Sequence, residues 1–130
     1  VGHLNIGAGR VVHQYLTRII RAVQDGSFTA NSVLRAAMQS AASGHPLHLM
    51  GLVSPGGVHS SSQHLYTLLE MAHALRLPRV FVHAFTDGRD EPPNSAAGYI
   101  GELVERIRAI GTGRIASVSG RYYAMDRDKR

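Results

Sequence analysis

Three short apolar runs constrain this chain more than anything else in it: LHLMGLV at residues 47–53, RVFVHAF at 79–85 and RIASV at 114–118. Each has the length of a strand, and each is separated from the next by enough residues for a helix. SSQHLYTLLEMAHALRL (61–77) sets Leu65, Leu68, Leu69, Ala72 and Leu75 on one helical face. After Pro92-Pro93, Asn94 or Ser95 can cap a helix bearing Tyr99, Ile100, Leu103, Ile107 and Ile110, which Gly111 ends. Strands joined by helices of this length imply parallel pairing through right-handed crossovers. Their near-continuous apolar character suits a sheet covered on both faces.

Upstream, Val12, Tyr15, Ile19 and Val23 recur at helical spacing and predict an amphipathic helix over 10–24, ending near Asp25-Gly26. Asn31 is placed to cap a second helix through about Ser43, carrying Val33, Leu34, Ala37, Met38 and Ala41, with Gly44 as its stop. The expected class is α/β: two leading helices, then βαβαβ, a parallel sheet with flanking helices. At 130 residues this is one domain with a real core. The first residues show no capped element, and DRDKR follows the last strand with no helix to cover it. Both ends look cut, and a partial domain is expected.

No apolar run is long enough to cross a bilayer, and VGHLNIGAGR does not read as a signal peptide. The absence of cysteine excludes a disulfide scaffold and a thiolate metal site. The expected compartment is the cytoplasm. Fourteen basic against nine acidic residues give a formal charge of +5, which invites a nucleic-acid reading. Against it, the arginines are dispersed, tryptophan is absent and aromatic residues are few. Nearly all the positive charge is arginine, the better fork for carboxylate and phosphate. A small anion fits this balance better than a polymer.

Each apolar run empties into glycine and polar groups. In an open parallel sheet, ligands bind beyond the carboxyl ends of the strands. That edge would collect Gly56, Gly57 and His59 from the first loop. The second adds Asp87, Gly88, Arg89 and Asp90, and the third adds Ser119, Gly120, Arg121 and Arg127. Three arginines converging there would need an anion to offset their repulsion, and an aspartate beside them could orient or deprotonate a hydroxyl. Plainer readings stand next to this one. The Gly-Gly pair also suits a tight turn, His59 a solvent-exposed cap, and Arg89 with Asp90 a local ion pair. Arg121 and Arg127 also suit a solvated surface. His48 and His83, inside strands, read as structural. Residues alone lead to an anion-binding α/β domain, a binding module or part of an enzyme.

HLNIGAGRVV, LHLMGLVSPGGVHSSSQHL, VFVHAFTDGRDEPP and IASVSGRYYAMDRD, in that order, resemble the cofactor-independent phosphoglycerate mutases, and the likeness spans essentially the whole chain. The resemblance implies an isomerase that interconverts 3-phosphoglycerate and 2-phosphoglycerate through a phosphoserine, in glycolysis or gluconeogenesis. It implies two divalent metal ions, usually manganese, in a phosphatase-like domain, and an inserted α/β domain that binds the glycerate. Residues 1–9 would lead in from the metal-binding domain, and 10–130 would begin the insert. His59 then matches a histidine that contacts the substrate near the transferring phosphoryl group. Arg89 and Asp90 match a substrate-binding pair with the aspartate as acid/base, and Arg121 and Arg127 match arginines that grip the substrate. No metal ligand and no nucleophile is assigned to this chain, so the chain alone is expected to be inactive. The complete enzyme is expected to be a cytoplasmic monomer, with neither nucleic acid nor membrane as partner. Pro55 and Ser61 depart from the family pattern, which has an acid before the Gly-Gly pair and a second histidine after the first.

Overall fold

The computed structural model describes residues 2–11 and 13–125. Its elements run α1 (Gly2–Ala8), α2 (Tyr15–Gln24), α3 (Ser27–Ala30), α4 (Ser32–Ala42), β1 (Leu47–Leu52), α5 (Ser62–Ala74), β2 (Val80–Thr86), α6 (Ala96–Ile110), β3 (Arg114–Gly120) and α7 (Arg121–Ala124). The three strands form one sheet in the order β1-β2-β3, and both pairings are parallel. The expected βαβαβ unit is present. Three short helices, α1, α3 and α7, were not foreseen. A single turn leaves almost no periodicity in a sequence, so α3 and α7 carry little pattern to read.

Local chemistry accounts for several boundaries. Asn31 caps α4 as its sequence implies, its Oδ1 accepting from the amides of Val33 at 3.0 Å and Leu34 at 3.1 Å. Gly111 closes α6 in the left-handed region, at φ 77°. Arg76 takes that conformation after α5, at φ 52°, where a glycine would be the usual choice. The expected helix over 10–24 starts late, at Tyr15, and Tyr15 itself is 82% exposed. Leu16, not Tyr15, is the inward residue of that turn, and Val12 lies outside the described residues.

Strand alternation sends Leu47, Leu49, Val80, Val82 and Ala84 to one face of the sheet. There they join Leu69 of α5 and Leu103 of α6 in the hydrophobic core, together with Met38 and Ala41 of α4. The opposite face corrects the expectation of a doubly covered sheet. Leu52 is buried at its carboxyl end, but Met50 is 69% exposed and His48 and Ser117 are exposed. Apolar strands are a necessary feature of a two-sided sheet and not a sufficient one. Between Ile115 and Ser117 the register of β3 slips by one residue. This irregularity of the β-bulge kind precedes the segment that delivers Arg121.

Candidate functional site

All three strands run the same way, so the loops after β1, β2 and β3 meet at one edge. The residue that joins them is Asp87, whose side chain is 2% exposed. Its Oδ1 accepts from the amides of Arg89 at 3.1 Å and Asp90 at 3.0 Å, which closes the DGRD turn. Gly88 sits inside that turn at φ 79°, a conformation natural to glycine. Oδ2 accepts from the hydroxyl of Ser54 at 2.9 Å, tying the turn to the end of β1. Ser54 is itself buried, and its carbonyl accepts from the amide of Ser62 at the start of α5.

Arg121 completes the cluster from the third strand. Its Nη1 donates to Asp87 Oδ1 at 2.9 Å and to Asp90 Oδ2 at 2.7 Å, with only 11% of the side chain exposed. Both bonds run through that one nitrogen. Asp90 is 15% exposed, and His59 Nε2 lies 4.0 Å from the same Oδ2. The His59 side chain is 55% exposed and rides on the loop after β1. That loop turns at Gly57, at φ 69°, whose amide donates to the carbonyl of Ser60. Its other side is fitted to Glu91, because a methyl group on Gly56 would stand 3.2 Å from Glu91 Oε1. Tyr99 of α6 holds Glu91 in place, its hydroxyl donating to Oε2 at 2.7 Å.

Electrostatics follow from these contacts. Burial alone would push the Asp87 carboxyl up. The Asp90 amide, the Ser54 hydroxyl, the Arg89 amide and the Arg121 guanidinium together outweigh it and hold the group below the ordinary carboxylate range. The bond to Asp90 raises Arg121, burial opposes the rise, and the bond to Asp87 adds to it. The hydrogen bond to Glu91 raises the Tyr99 phenol.

The structure therefore brings together His59, Asp90 and Arg121 of the residues singled out from sequence. Arg89 stands exposed with no side-chain bond among the described residues, and Arg127 lies outside them. Arg89 and Arg121 do not share one buried point. Arg121 is balanced internally by two carboxylates, so its burial needs no bound anion. Ser54 had escaped notice, and Asp87 had been placed on this edge without its central role. An aspartate two and three residues before amides it can bond is a recognisable turn signal. Among the described residues no group of three histidine, aspartate or glutamate side chains is arranged to hold a metal ion. A cavity of about 550 Å³ beside α2, lined by Leu4, Tyr15 and Val58 among others, contains none of the cluster. A second, of about 450 Å³, runs along β1 and reaches His59.

Residues 19–130 match the family model described as the N-terminus of BPG-independent PGAM. The chain belongs to this family. Over its full length it is 59% identical to the 2,3-bisphosphoglycerate-independent phosphoglycerate mutases of Desulforudis audaxviator and Moorella thermoacetica. It spans 26% of the length of each. Among solved structures it is similar to a phosphoglycerate mutase of Leishmania mexicana crystallised at low cobalt concentration. The TM-score is 0.82 at 32% identity, over 88% of this chain and 22% of that one.

Proposed function

We propose that this chain supplies substrate-holding loops to a phosphoglycerate mutase that interconverts 3-phosphoglycerate and 2-phosphoglycerate through a phosphoserine, without a bisphosphoglycerate primer. The observation that carries the reading is the Asp90–Arg121 pair at the carboxyl edge of the sheet, with His59 4.0 Å from it, in a chain of this family. Residues 1–9 lead in from a metal-binding domain, and residues 10–130 begin the inserted domain.

Each side chain has a role that its geometry permits. Arg121 spends Nη1 on the two aspartates, so its Nη2–Nε edge is the one that meets a substrate carboxylate in a forked pair. Exposed Arg89 adds positive charge around the anion, and Arg127 is assigned to the same grip. His59 contacts the substrate near the phosphoryl group that moves. Asp90 engages Arg121 and His59 through Oδ2, which leaves Oδ1 to take and return the proton of a glycerate hydroxyl. Positioning and charge neutralisation carry most of the effect in such a transfer.

The two divalent ions of the complete enzyme do not fit the residues described here: no suitable group of three exists among them, and Asp87 and Asp90 are both committed to Arg121. The metals and the nucleophilic serine belong to the rest of a cytoplasmic, monomeric enzyme, and this chain alone turns nothing over. The test is a coupled assay on a polypeptide of the relatives' full length carrying these 130 residues. Conversion without added 2,3-bisphosphoglycerate is expected. Arg121→Ala should lower kcat/KM about 100-fold, roughly 2.7 kcal/mol of transition-state stabilisation. A full-length protein inert toward both phosphoglycerates, or a 130-residue chain that turns them over with manganese, would overturn the reading.

A further inference from the structure

Asp87 lies too deep to meet a ligand, with its side chain 2% exposed, yet all four of its hydrogen bonds go to the three loops of the site. Ser54 comes from the end of β1, the Arg89 and Asp90 amides from the turn after β2, and Arg121 from the residue after β3. We infer that Asp87 is a positioning residue: it holds the Arg121 guanidinium and the Asp90 turn in one geometry, so that an anionic ligand meets them already assembled. The identity of that ligand rests on the mutase reading. The positioning itself does not.

The geometry separates this role from that of a plain turn residue. Two amide acceptors on Oδ1 would suffice for the turn. Asp87 does more, since the same Oδ1 also receives Arg121 Nη1 at 2.9 Å, beside the 2.7 Å bond from that nitrogen to Asp90. A guanidinium anchored at one tip by two charged acceptors loses most of its rotational freedom. Its Nη2–Nε edge, which has no hydrogen bond among the described residues, is then presented in a fixed direction. An ordered fork loses less entropy on binding than a free one.

Asp87→Asn tests this without destroying the turn. The asparagine Oδ1 still accepts from both amides and its Nδ2 can donate to Ser54 Oγ, but a neutral oxygen holds Arg121 weakly. Two readouts are needed. In the 130-residue chain, nitrogen-15 spectra of the arginine side chains report whether the Arg121 Nη groups are separately resolved, as hindered rotation requires. In the full-length enzyme, steady-state kinetics separate KM from kcat. The expected result for Asp87→Asn is loss of the resolved Arg121 signals together with a KM raised about tenfold and kcat nearly unchanged, the pattern of weakened uniform binding. Retention of the signals and of KM, with a modest loss of stability, would make Asp87 a turn residue only and overturn the inference. Loss of the signals at unchanged KM would overturn it as well, because the geometry would then not matter to the ligand. A parent enzyme without mutase activity whose Arg121 signals still collapse in Asp87→Asn would refute the mutase reading and leave the positioning role standing.

Discussion

The two faces of the sheet are built from alternate residues of the same strands, and they do opposite things. On one, Val82 and Ala84 are buried against Leu69 and Leu103, and water is excluded. On the other, His48 Nδ1 bonds His83 Nε2 at 2.9 Å and His83 Nδ1 bonds Ser117 Oγ at 2.8 Å, a ladder that crosses all three strands. His48 stacks on Phe81 with centroids 5.2 Å apart, and the Arg114 guanidinium lies 4.5 Å from the same ring centroid. Stability on the first face comes from area removed from water, and on the second from exposed polar contacts and ring packing. The contrast teaches that a strand's mean apolarity does not say how its two faces are used.

The largest expected effect lies on the packed face. Leu69, fully buried in α5, should lose about 3 kcal/mol when changed to alanine, through lost transfer energy and the cavity left behind. Met50→Ala on the open face should fall within about 0.5 kcal/mol of the parent. Urea unfolding midpoints of the two variants measure the asymmetry directly. Equal losses would break the comparison, since Met50 would then be packed in solution.

Two glycines sharpen it next. Gly113, between α6 and β3, sits at φ 97°, and a methyl group there would lie 2.9 Å from Leu69 Cδ2. Gly113→Ala should therefore cost about 2 kcal/mol from strain and overpacking. Gly51, in β1, has nothing within 4 Å of an added methyl group. Gly51→Ala should stabilise by about 0.5 kcal/mol, because it restricts the unfolded chain. Thermal midpoints that move in opposite directions would bear this out.

The carboxyl edge, where the faces end, behaves differently again because its stability is tied to charge. Asp87 is held below the carboxylate range in the folded chain, so the unfolded chain takes up the proton first as pH falls. Its contribution is present above the unfolded value of about 4 and is lost as pH drops through the lower folded value. At neutral pH Asp87→Asn should cost about 1 kcal/mol. The gap from the parent should close below about pH 4. Urea titrations at neutral and acid pH check the sign, and a gap that widens in acid would contradict it.

These effects also mark what the sequence could say. The βαβαβ order was legible because each helix repeats its apolar face over several turns, as with Leu65, Leu68, Leu69 and Ala72 in α5. The convergence of His59, Asp90 and Arg121 was legible too, since parallel strands deliver their loops to one edge. The open face was not, because coverage depends on what packs from elsewhere and LHLMGLV reads alike either way. Nor was the internal balance of Arg121. Sequence shows that Asp87, Asp90 and Arg121 share an edge, but only coordinates show Nη1 reaching both carboxylates. The membrane question stays narrow: no described helix is long and apolar enough to cross a bilayer.

The smallest expected effect is the one most specific to the open face. The His48–His83 hydrogen bond requires the two rings to differ, one nitrogen donating and the other accepting. A double-mutant cycle of His48→Ala and His83→Ala should then give a coupling of about 0.5 kcal/mol near neutral pH, small because both rings meet solvent. Exposed charge pairs of similar strength weaken with salt, whereas a hydrogen bond between two rings should not. A coupling that is absent, or one that salt removes, would show that the rings pack or repel without sharing a proton. The open face would then be held by its aromatic contacts alone.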